Sequence, residues 1–288
     1  MESVSRIRAF NIFAELQKAR RGEETIFPPN IPHDLLAIVQ NRMVAVRAIR
    51  PLQASNCYGL TGEQFEELVT TRNSLFAETH SIGDPALVKN YGLNRDEKYE
   101  AHLGIMTAIV QQLWSYDEFR SLFPSGTSVE FAMALCQVHD LSREILNNGS
   151  NLPFWLIDYS SEELVAQLFP GFPIEMLHSI DWHFGIREPS GADTVGILYK
   201  ALDTLGKPRV TARTFFDDGG DYDKWVERVK NLFPMAVPLG NGQLRQVSLE
   251  DYCKRDKEFT LKGIKVLGRI IGSDPFDFLQ QTFNSFRA

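Results

Sequence analysis

The 288-residue sequence contains only three cysteines, Cys57, Cys136 and Cys253, and they are widely separated. An odd number of distant cysteines predicts neither a disulfide framework nor a thiolate metal site and is typical of a reducing compartment, so we expect a cytoplasmic protein. No apolar run approaches the ~20 residues that a membrane-spanning helix needs. The charged residues within positions 1–6 are unlike the apolar start of a signal peptide. No membrane association is therefore expected.

Positive charge is in the minority, because 30 Lys and Arg residues stand against 37 Asp and Glu residues and give a net charge of −7. A broad electrostatic attraction to nucleic acid or to an anionic membrane needs an excess of positive charge. The composition therefore predicts neither partner. A hydrophobic content of 43% and a charged content of 23% are ordinary for a globular chain that buries a core. The sequence leaves the oligomeric state open.

Sustained alternation of apolar and polar residues, the pattern of a half-buried strand, is also lacking. The best strand candidate is the short segment 209–216. Helical spacing predicts an early helix ended by Gly22, a last helix from Asp274, and helices over 34–49, 95–118, 129–146, 173–184, 192–207, 221–233 and 249–271. Ser or Thr followed three places later by an acid or amide predicts helix starts at Thr61, Thr127, Ser160 and Ser248. The sequence therefore predicts an all-α fold.

The most informative residues are His139 and Asp140, which lie within the apolar run 129–146. Two adjacent ionisable side chains are costly to bury unless something pairs with them. A divalent cation is a natural partner, because imidazole and carboxylate both bind it and because its charge offsets that of the carboxylate. The pair therefore indicates a metal site.

His102 and Asp203 supply completing ligands from two other predicted helices. His102 belongs to an apolar helix stripe, and Asp203 follows the apolar position Tyr199 by one helical turn, so it can point inward. Three helices would thus direct these two residues and the His-Asp pair to one point, a common way to build metal sites in helical bundles. The alternative is that both histidines are core residues satisfied by neighbouring hydrogen bonds, with Asp203 on a solvated face.

The order His102, His139-Asp140, Asp203 resembles the HD superfamily of metal-dependent phosphohydrolases, which is named for its His-Asp doublet and has an all-helical core. The segment 138–143, Val-His-Asp-Leu-Ser-Arg, is similar to the family signature of apolar, His, Asp, apolar, small and basic residues, with Ser142 where glycine is usual. The segment 201–205 is similar to the helix that carries the last Asp of the family. The resemblance implies a divalent metal bound by four residues, which are His102, His139, Asp140 and Asp203.

The same resemblance implies the organisation and the activity of the chain. It covers roughly residues 95–209, and we accordingly expect an HD-like metal-binding core (95–210) between an N-terminal helical flank (1–94) and a C-terminal helical flank (211–288) that packs on the core as one unit. The flanking helices themselves are not explained by the resemblance. It implies hydrolysis of a small phosphorylated compound, such as a nucleotide, at a divalent ion that is Mn, Fe, Co, Ni, Zn or Mg. Such an ion lowers the pKa of bound water and polarises a phosphoryl oxygen.

Three residues of the doublet segment are the candidate catalytic residues. Asp140 would hold the ion, Arg143 would contact phosphate, and Glu144 would orient or deprotonate the attacking water, because some HD nucleotidases place a catalytic Glu shortly after the doublet. The alternative for Arg143 and Glu144 is an ordinary solvated helix face.

Basic residues cluster near Asp203 and suit an anionic ligand such as a nucleotide phosphate. The cluster consists of Lys200, Lys207, Arg209 and Arg213. Positive charge near a helix C-terminus is also stabilising for structural reasons, and we favour that interpretation for Lys200. Lys207 and Arg209 remain candidate phosphate-binding residues.

His178 and His183 are separated by five residues, which rotates them by about 140° on a helix and makes them poor partners at one ion. Residues 182–185 resemble the helix end where two-metal HD proteins place another His. His183, and with less support His178, is therefore a candidate second-metal ligand or substrate contact. A di-iron oxygenase of HD type is an alternative function that would need both histidines. A non-catalytic HD module for regulation or ligand binding is a further alternative.

Overall fold

A computed structural model of the chain describes residues 12–25, 31–52, 57–91, 93, 97–143, 154–180, 194–207, 212–238 and 244–287. The described residues are mostly helical and contain two short strands, so the predicted all-α class is confirmed. No helix among them combines the length and the apolarity needed to cross a membrane.

The elements are named here in the order in which they occur along the chain. The helices are α1 (Ile12–Arg20), α2 (His33–Val46), α3 (Gly62–His80), α4 (Pro85–Asn90), α5 (Glu97–Leu113), α6 (Asp117–Arg120), α7 (Val129–Val138), α8 (Phe154–Leu168), α9 (Ile174–Ile180), α10 (Thr194–Leu205), α11 (Asp221–Val229), α12 (Leu249–Ile271) and α13 (Pro275–Arg287). Single 3₁₀ turns lie at Cys57–Gly59, Ala212–Thr214 and Lys230–Leu232. Strands β1 (Met235–Pro238) and β2 (Leu244–Val247) form an antiparallel hairpin in which Met235 pairs with Val247.

Two helix starts predicted from capping signatures are confirmed. The Gln64 amide donates to Thr61 Oγ1 at 3.3 Å and the Thr61 amide donates to the Gln64 side chain at 3.0 Å, which is a complete capping box for α3. The Asp251 amide donates to Ser248 Oγ at 3.0 Å at the start of α12. The predicted and observed bounds of α12, Leu249–Ile271, are the same.

Two other predicted starts are wrong. Ser128 caps α7 by accepting a hydrogen bond from the Phe131 amide at 3.2 Å. The hydroxyl of Thr127 donates instead to the Pro124 carbonyl at 2.7 Å and so belongs to the preceding turn. Ser160 does not start a helix, because α8 already begins at Phe154. Ser160 is instead buried within that helix.

Irregular segments account for the remaining differences from the predicted elements. The described part of the strand candidate 209–216 contains a 3₁₀ turn, and the two observed strands, of four residues each, are too short to show alternation. The predicted helix 95–118 is interrupted after Leu113, where the Arg120 side chain donates to the Trp114 carbonyl at 2.5 Å and stabilises a turn. The end of the predicted helix 173–184 and the start of that predicted from 192 lie outside the described residues.

The helices that carry the candidate site pack around one another in the hydrophobic core. α5 packs on α7, and α10 packs on α9 and most extensively on α12. The Tyr199 hydroxyl of α10 donates to the Ala132 carbonyl of α7 at 2.7 Å, which ties these helices together within the core. The domain boundaries at 94/95 and 210/211 stay a prediction.

Candidate metal centre

Three of the predicted ligands converge in the interior. His102 comes from α5, His139 from the residue directly after α7, and Asp203 from α10. His102 Nε2 lies 3.2 Å from Asp203 Oδ1, and His139 Nε2 lies 3.7 Å from the same oxygen. All three residues are buried, and their ligand atoms lie within 4.8 Å of one another. This group of side chains could hold a metal ion.

The backbone fixes which ring nitrogen of each histidine faces the centre. His102 Nδ1 donates to the Gly206 carbonyl at 2.8 Å, and His139 Nδ1 donates to the Cys136 carbonyl at 2.9 Å. Because a carbonyl oxygen can only accept, Nδ1 carries the proton in both rings and Nε2 of the neutral ring offers a lone pair. Hydrogen bonds of this kind orient metal-binding histidines in known sites.

The converging atoms lack ordinary hydrogen-bond partners. His102 Nε2, His139 Nε2 and Asp203 Oδ1 are buried, and none has a hydrogen-bond partner among the residues that the structure describes. Buried polar atoms rarely lack a hydrogen-bond partner, so three such atoms that face one point need an explanation. Ligand bonds of about 2.0–2.2 Å place neighbouring ligand atoms roughly 3.0–3.6 Å apart. The observed 3.2 Å lies within this range and the observed 3.7 Å just above it, so the spacing is close to that needed around a divalent cation.

The charges of the site also favour a cation. Burial lowers the pKa of His102, and the attraction of Asp203 offsets this only in part. Burial acts in the same direction on His139, but Asp140 and Asp203 outweigh it and raise the pKa of His139. Burial alone would raise the pKa of Asp203, whereas Lys200 and the two histidines hold that pKa well below its usual range. Asp203 is therefore an ionised carboxylate facing two imidazoles.

Asp140 lies at the edge of this group. Its Oδ2 is 3.5 Å from His139 Nε2 and 2.7 Å from Arg143 Nε, so its carboxylate is paired with a guanidinium. It does not belong to the set of three whose ligand atoms are all within 4.8 Å of one another. Its role as a ligand stays a prediction.

The apolar run predicted that the His-Asp doublet lies inside a helix, and this prediction is wrong. α7 ends at Val138, and Asp140 is in the turn that follows. The Asp140 carbonyl accepts from the Tyr99 hydroxyl at 3.0 Å and from the Arg143 amide at 2.9 Å, a tight turn that replaces the next helical turn. The Ser142 amide donates to Ser161 Oγ at 3.0 Å, which joins the turn to α8.

Cationic side chains surround the three ligands. Arg143 has 28% of its side chain exposed and lies 5.8 Å from the centre of the Tyr99 ring. Lys200 Nζ donates to Asp203 Oδ2 at 3.4 Å. Burial lowers the pKa of Lys207 against the attraction of Asp203, and the nearby charges of Arg143 and Lys200 lower it further. The site thus combines a centre that could hold a metal ion with basic residues at its margin.

Other predicted site residues are elsewhere or lie outside the described part of the chain. Arg213 does not join the basic cluster, because its guanidinium pairs with Asp274 and Asp277 at 2.9 Å each. Glu144, His183 and Arg209 lie outside the described residues, as does the side chain of His178 in α9. The predicted roles of these four residues stay predictions.

Two contributors to the site were not predicted from the sequence. Asp256 of α12 lies 3.0 Å from Lys200 Nζ through its Oδ1. Gly206 holds His102 through its carbonyl, and a Cβ at this position would lie 2.5 Å from the Leu202 carbonyl oxygen and 3.6 Å from His102 Nδ1. The sequence did contain a signal for Asp256, because it occupies the apolar stripe of an amphipathic helix, where an acid calls for a buried partner.

Comparison with known proteins does not place the chain in a family. No family model, no curated protein and no solved structure matches it. The buried group of two histidines and one aspartate is compatible with an HD-like fold. The resemblance to that superfamily therefore depends on the residues and the geometry described above.

Proposed function

We propose that the protein is a metal-dependent phosphohydrolase that acts on a small phosphorylated compound such as a nucleotide. The observation that carries the proposal is the buried convergence of His102 Nε2, His139 Nε2 and Asp203 Oδ1, none with a hydrogen-bond partner among the described residues. The basic residues beside it give the centre the charge pattern that a phosphorylated substrate requires.

The residues of the site take distinct roles in this proposal. His102, His139 and Asp203 hold the divalent ion, and Asp140 completes the set. A bound ion would supply a water of lowered pKa and a Lewis acid for a phosphoryl oxygen. Arg143, whose side chain is 28% exposed, contacts the phosphate from the solvent side.

Burial strengthens these interactions. The side chains of the two histidines and Asp203 are at most 10% exposed, so water screens the charges on a bound phosphate weakly. Fixed charges in such a place stabilise a developing negative charge without rearranging, which is the usual contribution of a protein to phosphoryl transfer.

The activity is tested by a screen of nucleotides and p-nitrophenyl phosphate with Mn²⁺, Co²⁺, Ni²⁺, Zn²⁺ and Mg²⁺, after metal analysis of protein purified without added ions. We expect phosphate release with at least one metal, and we expect Asp140→Ala to abolish it while the helical circular dichroism is retained. Asp117→Ala is the matched control, because Asp117 is 89% exposed and its carboxylate pairs with the neighbouring Arg120 at the surface. Unchanged turnover in Asp140→Ala would contradict the proposed role of the doublet.

The same assay separates hydrolysis from oxygen chemistry. A hydrolase requires a cation and water, so we expect turnover to persist under anaerobic conditions. Two tightly bound irons per chain, together with oxygen consumption coupled to loss of substrate, would replace the hydrolase with a di-iron oxygenase. Metal binding without turnover of any phosphorylated compound would favour the regulatory module.

A further inference from the structure

Lys200 is a buried cation placed between two carboxylates from different helices. Its Nζ lies 3.4 Å from Asp203 Oδ2 within α10 and 3.0 Å from Asp256 Oδ1 of α12. The side chains of the three residues are 6%, 10% and 4% exposed. A lysine at this depth needs a counterion, and the closer of the two is outside the predicted ligand set.

The packing of α12 on α10 brings Asp256 to this position. At Gly263 the two helices approach so closely that a Cβ would lie 2.5 Å from Ala201 Cβ and would overlap the Ile197 carbonyl oxygen. One turn away from Gly263, Thr260 Oγ1 donates to Thr204 Oγ1 at 3.3 Å, directly beside Asp203. Only glycine permits this approach, which holds α12, the helix of Asp256, against α10, the helix of Lys200.

The two oxygens of Asp203 have different partners. Oδ2 faces Lys200, whereas Oδ1 faces His102 and His139. A cation that is shared with Asp256 attracts Asp203 less strongly than a cation that has Asp203 as its sole counterion. The charge available to a metal at Oδ1 therefore depends on a residue of the C-terminal helix.

We propose that Asp256 is a positioning residue of the metal centre, which holds and partly neutralises Lys200 and so keeps the charge of Asp203 available to the ion. This inference rests on the proposed metal site. It predicts that the two members of one ion pair have opposite effects. Asp256→Asn removes the closer counterion of Lys200, so more of the positive charge of Lys200 acts on Asp203 and the ion, and metal binding should weaken roughly 10- to 100-fold. Lys200→Met removes a competing cation and should tighten binding about tenfold.

A structural role for the pair would give a different result, because damage to the packing of α10 on α12 would weaken binding in both variants. The double variant Lys200→Met/Asp256→Asn removes both charges and should bind within about threefold of the wild type. Glu258→Gln is the matched control on the same helix, because Glu258 pairs with Lys262 at 2.7 Å and both side chains are about half exposed. It should leave metal affinity unchanged.

The experiment is calorimetric titration of the full chain and of the four variants with Zn²⁺ and Mn²⁺, with folding checked by circular dichroism. Opposite shifts in the two single variants, with recovery in the double variant, support the proposal. Unchanged affinity in Asp256→Asn, or a loss shared by both single variants, overturns it. If Lys200→Met does not fold, Asp256→Asn and the double variant decide the question. Absence of binding to the wild type overturns the metal site itself and the positioning role with it.

Discussion

Among the residues that the structure describes, two places hold a cation between two aspartates, and they differ mainly in depth. The buried triad consists of Lys200, Asp203 and Asp256 at the packing of α10 on α12, with side chains at most 10% exposed. The exposed triad consists of Arg213, Asp274 and Asp277 at the start of α13, with side chains 60%, 41% and 67% exposed.

The comparison shows how depth changes the effect of the same set of charges. In the exposed triad, water and salt screen the attraction, and Asp274 also caps α13 by accepting from the Phe276 amide at 2.8 Å. In the buried triad the attraction is strong, but each charge has lost its hydration, so removal of one partner leaves another charge uncompensated. The buried triad is therefore sensitive to single substitutions and the exposed one is tolerant of them.

The largest effect is expected from breaking the buried triad. Lys200→Met leaves Asp203 and Asp256 without their shared cation and should reduce the free energy of unfolding of the metal-free protein by about 3–5 kcal/mol. Arg213→Met, the matched change in the exposed triad, should have a much smaller effect. Urea unfolding followed by circular dichroism measures both, and equal losses would contradict the distinction between the triads.

Metal binding should stabilise the protein, and this gain should depend on the buried ligands but not on the exposed triad. At 100 times its dissociation constant, a divalent ion should raise the free energy of unfolding by about 2.7 kcal/mol. Arg213→Met should gain the same stabilisation as the wild type, because the exposed triad does not touch the ligands. His102→Ala should gain none, because it removes one of the ligands. Thermal unfolding with and without Zn²⁺ measures this, and an undiminished gain in His102→Ala would remove His102 from the site.

A backbone change beside the buried region should have an intermediate effect. Gly206→Ala places a Cβ 2.5 Å from the Leu202 carbonyl oxygen, so the Gly206 carbonyl that holds His102 must shift. We expect metal affinity to fall about tenfold, near 1.4 kcal/mol. Gly62→Ala is the control, because a Cβ there meets no atom within 4 Å. Equal affinities for the wild type and Gly206→Ala would show that this hydrogen bond does not orient the ligand.

The smallest effect concerns salt. At 1 M NaCl the screening length is about 3 Å, so any difference in stability between the wild type and Arg213→Met should disappear. The difference caused by Lys200→Met should persist, because its partners are buried. Repeating the urea titrations at low and high salt tests this, and a salt-sensitive loss in Lys200→Met would place that triad in contact with solvent.

The sequence was informative where local patterns determine structure. Hydroxyl caps located the start of α3 at Thr61 and both ends of α12 were predicted, because these depend on neighbouring residues. The convergence of His102, His139 and Asp203 was predicted because each occupies an apolar helix face or its end. The turn at Asp140 was missed, because Tyr99, a residue distant in sequence, provides the hydrogen bond that stabilises it.

Long-range packing explains what the sequence could not provide. Asp256 is identifiable in the sequence as an acid in an apolar stripe, but its partner depends on how closely α12 approaches α10. Gly263 permits the close approach, and this is visible only when the two helices are packed together. Helix-end stabilisation was favoured for Lys200, whereas the structure places the residue within α10 and pairs it with Asp203 and Asp256. The hairpin was missed because four-residue strands carry too little periodicity.

Because Asp256 follows the other residues of the centre in the chain, it is also the last of them to be synthesised. On the ribosome, His102, His139, Lys200 and Asp203 emerge before α12 exists. Within the triad, Lys200 then has only the ligand Asp203 as its counterion. The second counterion arrives when residues 249–271 have left the exit tunnel and packed on α10. The charge balance of the centre is thus completed only after α12 has been made, so a nascent chain that meets a metal ion before then meets it at an incompletely assembled site.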